Sequence, residues 1–202
     1  EASPLPTRAP SPSPSEMVDV ATATTAPETC MVHEPEPVVV RVFDDFLCPY
    51  CEREYREAWF PLYQQEFFAD QGVEVRFHTL PIHGERSAEL AKAAICAQAV
   101  DDPWVFRQWL YDSEEKTIEK AIAIATKLGA DAEEYTACLQ AEETRSALEA
   151  DIELAQELGV TGTPALVIDD FTTIGLLPQE NIAYEIRKAV AKKGEKPLSC
   201  GG

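Results

Sequence analysis

Cys48-Pro49-Tyr50-Cys51 separates two stretches of different period. Before it, Val38-Val39-Val40-Arg41-Val42-Phe43 is short and β-branched and reads as a buried strand. After it, Glu52 to Phe68 reads as a helix, with Pro61 expected to kink it. A Cys-x-x-Cys pair at a strand-to-helix turn sets two thiols within bonding reach and seats the first sulfur at the helix N-terminus. The unsatisfied N–H groups and the positive end of the dipole there favour thiolate over thiol. A thiolate is the species that attacks a disulfide sulfur, so the arrangement suits thiol–disulfide exchange.

Gly72 stops the helical region, and Val73 to Thr79 alternates apolar and polar residues as a strand does. Strand, helix and strand in this order make a βαβ unit with a parallel pair. From about 84 to 159 the apolar period is helical. Leu90, Ala93 and Ala97 mark one stripe, and Trp104, Phe106 and Leu110 a second, opened by Asp102-Pro103. Further stripes run through Ile118 to Leu128, Tyr135 to Leu139 and Leu148 to Leu158, with glycines at 129 and 159 as stops. Strand character returns at Ala165 to Asp169 and weakly at Phe171 to Gly175, and a last helix follows Pro178. The expected fold class is α/β: a βαβ half, a helical insertion at about 84–159, and a ββα half.

Residues 1–36 are rich in Pro, Ser, Thr and Ala and poor in large apolar side chains. Such a segment cannot bury enough surface to offset its ordering entropy, so it is expected to be a disordered tail or a stalk, with the folded domain spanning 37–202. The net charge of −19 leaves no surplus of Lys or Arg to neutralise phosphates, which argues against a nucleic-acid partner. No apolar run approaches the ~18 residues of a membrane span. The chain starts at Glu1 without Met, which reads as a mature or trimmed fragment whose export signal or anchor would lie upstream.

Zinc is the main rival for Cys48 and Cys51. Structural zinc sites take four ligands, and no second close Cys pair exists. His78 and His83 have a usable spacing but straddle a strand end, and His33 is remote in sequence. No metal and no cofactor is expected. For His83 loop polarity is the leading reading, and for His78 a strand position.

Asp45-Phe46-Leu47-Cys48-Pro49-Tyr50-Cys51, followed after a helical block by Gly159-Val160-Thr161-Gly162-Thr163-Pro164-Ala165, resembles the DsbA-like branch of the thioredoxin superfamily. Those are exported thiol:disulfide oxidoreductases of bacteria. The resemblance covers about 37–193 and implies a thioredoxin fold interrupted by the helical insertion. It implies that Cys48 is the exposed nucleophile and Cys51 the resolving cysteine. Pro49 and Tyr50 would tune the thiolate. Thr163 and Pro164 would lie against the pair as a cis-proline loop that receives a substrate strand. Many relatives carry an acid six positions before the nucleophile, where this chain has Val42. Asp44 and Asp45 are nearer; turn and cap chemistry is the leading reading for both, and the proton relay stays open.

The resemblance also implies a structural disulfide between Cys96 and Cys138, two buried thiols being the alternative. Cys30 and Cys200 could bridge and clamp the two ends, remain free, or pair between molecules. The function implied is an extracytoplasmic dithiol oxidase acting on reduced exported proteins. A membrane quinone-linked partner of the DsbB or vitamin K epoxide reductase type would reoxidise it. The alternatives are a disulfide reductase or isomerase, and a non-enzymatic stalked binding module whose disulfides are structural.

Overall fold

β1 (Val38–Asp44) forms the middle of a four-stranded sheet in a computed structural model that describes residues 37–194. The expected 1–36 segment, Cys30 and Cys200 lie outside the described residues. The strand order is β2-β1-β3-β4, with β2 (Val73–Thr79), β3 (Ala165–Ile168) and β4 (Phe171–Ile174). β1 and β2 are parallel, while β3 pairs antiparallel with both β1 and β4. This is the βαβ half joined to the ββα half. Period-two alternation sorts β1 between two cores. Val38, Val40 and Val42 enter the larger one, with Leu166, Ile182 and Ile186. Phe43 enters a smaller one with Leu80, Ala155 and Val167.

The helical run after the cysteine pair is less regular than its sequence predicts. α1 (Pro49–Glu54) passes into a π-helical turn at Tyr55–Trp59 and then α2 (Phe60–Gln64). Pro61 offers no N–H and its ring crowds the preceding turn. The widened turn just before it, closed by Phe60 N–H to the Tyr55 carbonyl, absorbs that misfit. The chain breaks instead at Glu66, which takes a left-handed conformation with φ 56°, ahead of α3 (Phe67–Gln71).

The insertion comprises α4 (Glu85–Cys96), α5 (Pro103–Asp112), α6 (Ile118–Lys127), α7 (Ala132–Gln140) and α8 (Glu142–Glu157). Asp102, Thr117 and Asp131 cap α5, α6 and α7 through their side chains. α9 (Gln179–Gly194) closes the described fold. α5 ties the insertion to the sheet domain. The Trp104 ring stacks on Tyr63 at 4.8 Å, and the Tyr55 hydroxyl donates to the Trp104 carbonyl at 2.8 Å. No helix of the described residues is long and apolar enough to cross a membrane.

Candidate active site

The loop from β1 to α1 is built around Asp45, which is fully buried. Its Oδ1 accepts from the Leu47 N–H at 2.8 Å, a short-range Asx turn. Its Oδ2 reaches across to the β2–α4 loop. There it accepts from the Ile82 and His83 N–H groups at 2.9 and 3.2 Å and lies 2.8 Å from His83 Nδ1, and it also accepts from the Ser87 hydroxyl of α4 at 2.6 Å. The segment carrying the first cysteine is thereby clamped to the loop opposite.

Cys48 occupies the N-cap of α1, in extended conformation, with Pro49 as the first helical residue. Cys48 and Cys51 are both free thiols. The Cys48 sulfur lies 3.5 Å from the Thr163 carbonyl oxygen, to which its protonated form can donate. The Thr163–Pro164 peptide bond is cis, and the Pro164 carbonyl accepts from the Gly175 N–H at 2.7 Å. Cys48, Pro49, Tyr50, Cys51, Thr163 and Pro164 therefore converge, although 115 positions separate Cys48 from Thr163.

The two sulfurs are electrostatic opposites. The Cys51 thiol hydrogen-bonds the Cys48 sulfur and, with backbone N–H groups of α1 and the Thr163 side chain, lowers the Cys48 pKa to about 5 against the opposing effect of burial. The Thr163 hydroxyl has no other partner among the described residues, so it is available to an ionised sulfur. Cys51 lies one helical turn deeper. Burial, then its bond to Cys48, then the Asp44 charge push its thiol far above the ordinary range. At neutral pH the pair is one thiolate and one thiol.

One expectation needs correcting. Cys48 is not openly exposed: its relative exposure is 3%, because the Thr163–Pro164 loop lies against it. It sits shallowly, since Pro49 is exposed and Tyr50 is 61% exposed beside it. Ile82 and Ile174 are also exposed.

Asp44 and Glu54 are both buried, although in the sequence Asp44 reads as a turn or cap residue with its relay role open and Glu54 goes unnamed. Asp44 does not act as a turn residue. Its Oδ2 accepts from Arg107 Nη1 at 2.5 Å and the Tyr111 hydroxyl at 2.9 Å, both from α5. The Arg107 guanidinium lies 4.2 Å from the Phe77 ring centroid and 5.2 Å from that of Phe46. Glu54 is also buried, accepting from Trp59 Nε1 at 2.9 Å and the Leu177 N–H at 2.7 Å. Burial, with the Asp44 and Cys48 charges, raises its pKa to about 7 against those two bonds. A signal existed for each: Arg107 interrupts the apolar run Trp104 to Tyr111, and Glu54 lies three residues after Cys51, on the same helix face. Cys96 on α4 and Cys138 on α7 are joined by a disulfide, outside this site. Among the described residues no group of three or more His, Cys, Asp or Glu side chains could hold a metal ion.

A family model described as thioredoxin matches residues 27–188. The probable disulfide bond formation protein D of Bacillus anthracis is 29% identical over 143 residues, covering 66% of this chain and 65% of that protein. The chain thus spans about two thirds of that relative's length. Disulfide bond formation protein D of Bacillus subtilis is 26% identical over 167 residues, 78% of this chain and 74% of that protein. Among solved structures, a thioredoxin-like oxidoreductase from Silicibacter pomeroyi DSS-3 superposes with a TM-score of 0.65 at 29% identity, covering 81% of this chain and 90% of that one.

Proposed function

This chain belongs to the thioredoxin family, and on that footing we propose that it is an extracytoplasmic thiol:disulfide oxidoreductase that introduces disulfides into exported proteins through Cys48 and Cys51. The observation that carries the reading is the placement of Cys48 at the N-cap of α1, 3.5 Å from the carbonyl of Thr163 in the cis Thr163–Pro164 loop, with Cys51 buried behind it, a setting that lowers the Cys48 pKa to about 5 and pushes the Cys51 thiol up. In the oxidised protein a client thiolate attacks the Cys48 sulfur. The Cys48–Cys51 bond breaks with its electron pair on Cys51, and a mixed disulfide forms. A second client thiolate then attacks the client sulfur and expels Cys48 as thiolate. A low-pKa leaving group departs readily and stabilises the reduced protein, which makes the pair oxidising. The same ease of ionisation supports the oxidase direction over the reductase alternative.

The clients would approach over Tyr50, Ile82 and Ile174, with Thr163 and Pro164 beneath them. A quinone-linked membrane protein of the DsbB or vitamin K epoxide reductase type would accept the electrons, and the Pro/Ser/Thr-rich residues 1–36 would serve as the spacer. The names of the two Bacillus relatives support the disulfide-forming role. Equilibration of Cys48–Cys51 with glutathione tests it. The expected midpoint lies well above thioredoxin's roughly −270 mV, nearer about −120 mV. A midpoint at or below the thioredoxin value would replace the oxidase reading by a reductase.

A further inference from the structure

Glu54 is a buried acid whose two oxygens are held by donors on different elements. Burying a carboxyl is costly, so two such bonds call for an explanation in use. One bond is local. A π-helical turn brings residues five apart onto one face, and Trp59, five residues on, donates from Nε1 to Glu54 Oε2 at 2.9 Å across Tyr55–Trp59. The other bond leaves the helix. The Leu177 N–H, in the 175–178 loop between β4 and α9, donates to Oε1 at 2.7 Å. Two residues earlier the Gly175 N–H donates to the Pro164 carbonyl, and Ile174 lies over Gly162, where an added Cβ would stand 3.5 Å from Ile174 Cγ2. The Thr163 carbonyl in turn meets the Cys48 sulfur. These contacts close a ring. It runs from the head of α1 through the cis-proline loop to the 175–178 loop, and back into α1 at Glu54.

We propose that Glu54 is a positioning residue for client binding: its carboxylate latches the 175–178 loop to α1 and so holds the cis-proline loop and Ile174 in place to receive a client strand. The proposal rests on the oxidoreductase reading above and adds a control that lies outside the Cys-x-x-Cys and cis-proline motifs. The charged form is required because both partners are N–H donors. A carboxylate accepts at both oxygens, whereas a carboxylic acid sets a hydroxyl against one of the two donors. Protonation therefore breaks one of the two bonds. Burial, with the Asp44 and Cys48 charges, raises the Glu54 pKa to about 7, so the latch weakens as pH falls through neutrality. Asp44 is itself bound by Arg107 and Tyr111 of α5, and α9 presents the apolar Ile182 and Ile186 to the same core. Client oxidation leaves Cys48 as a thiolate, whose charge opposes the Glu54 carboxylate. The latch is thus firmer in the oxidised protein, which accepts clients, than in the reduced protein, which must release them.

The test follows oxidation of a reduced two-cysteine peptide by the oxidised full chain, at pH values on either side of about 7. Glu54→Gln keeps a single acceptor oxygen at every pH. Its KM should exceed that of wild type on the order of 10-fold above the Glu54 midpoint and approach it below, with kcat within about twofold throughout. A KM ratio near one at every pH, or a loss that falls on kcat or ignores pH, overturns this assignment alone. A wild-type chain that does not oxidise the peptide overturns the proposed function and this assignment with it. Should Glu54→Gln not fold, a second measurement keeps Glu54 and uses the Cys51→Ala chain, which cannot expel a thiol bound to Cys48. Carboxyl-carbon NMR of labelled glutamates then compares the peptide disulfide-linked at Cys48 with a methylthio cap there. Both remove the thiolate charge, so the difference belongs to the client. With the peptide the Glu54 midpoint should lie lower by about the one pH unit that a 10-fold preference for the carboxylate represents. An equal or higher midpoint overturns the assignment.

Discussion

Cys48 and Cys51 carry identical side chains, and their environments drive them apart. The neighbouring thiol and the N-cap position stabilise a charge at Cys48, and three residues further along the helix burial disfavours one at Cys51. The Cys-x-x-Cys spacing made this division legible in sequence. Glu54 was only faintly legible: its spacing puts it on the helix face of Cys51, but a glutamate in a helix ordinarily points to solvent. Its pKa of about 7 has a thermodynamic consequence. A carboxyl whose folded pKa lies above its unfolded value stabilises the fold fully below the unfolded pKa, near 4.5, and loses that contribution as pH rises through the folded value. Wild-type stability should therefore fall by about 3 kcal/mol between pH 4.5 and 7 from this group. Glu54→Gln removes the titration, so its penalty relative to wild type should shrink across that interval. Urea unfolding at several pH values checks this, and a penalty independent of pH would reject the buried-acid description.

At the scale of elements, α5 matters most, since it brings Arg107 and Tyr111 to the end of β1. Its start is written locally: Asp102 accepts from the Trp104 and Val105 N–H groups at 3.0 and 3.1 Å, and Pro103 opens the helix. Asp102 also accepts from the Tyr63 hydroxyl at 2.8 Å, tying α2 to α5. Asp102→Ala should cost about 1–2 kcal/mol, read as a lowered urea midpoint with an unchanged slope. A midpoint within error of wild type would mean that the aromatic stack of Tyr63, Phe68 and Trp104 holds the helix start unaided. The strands and most helix ends could be read from period, caps and glycines because those signals act within a few residues. The π-helical turn at Tyr55–Trp59 could not, since Pro61 demands a distortion without saying which form absorbs it.

For the whole molecule, the helical insertion is a brace. Its disulfide joins Cys96 and Cys138 across 42 residues, and the Thr144 hydroxyl lies 3.4 Å from the Cys138 sulfur. Replacing both cysteines by alanine should cost about 2–4 kcal/mol by loosening the unfolded-state constraint, with Cys48 thiolate absorbance unchanged. A shifted Cys48 titration in that variant would show that the brace reaches the site. The amino-acid order by itself determined the element sequence, the redox-competent spacing of Cys48 and Cys51, and the Pro that opens β3, because each depends on contacts a few residues apart. Only the tertiary structure decided that it is the Thr163 carbonyl that meets the Cys48 sulfur, that Asp45 ties the β1–α1 loop to the β2–α4 loop, and that Asp44 is buried with Arg107 and Tyr111 at the end of β1. Those pairings join residues 37 to 115 positions apart, and their energies come from desolvation and charge, quantities that exist only once the core has closed around them.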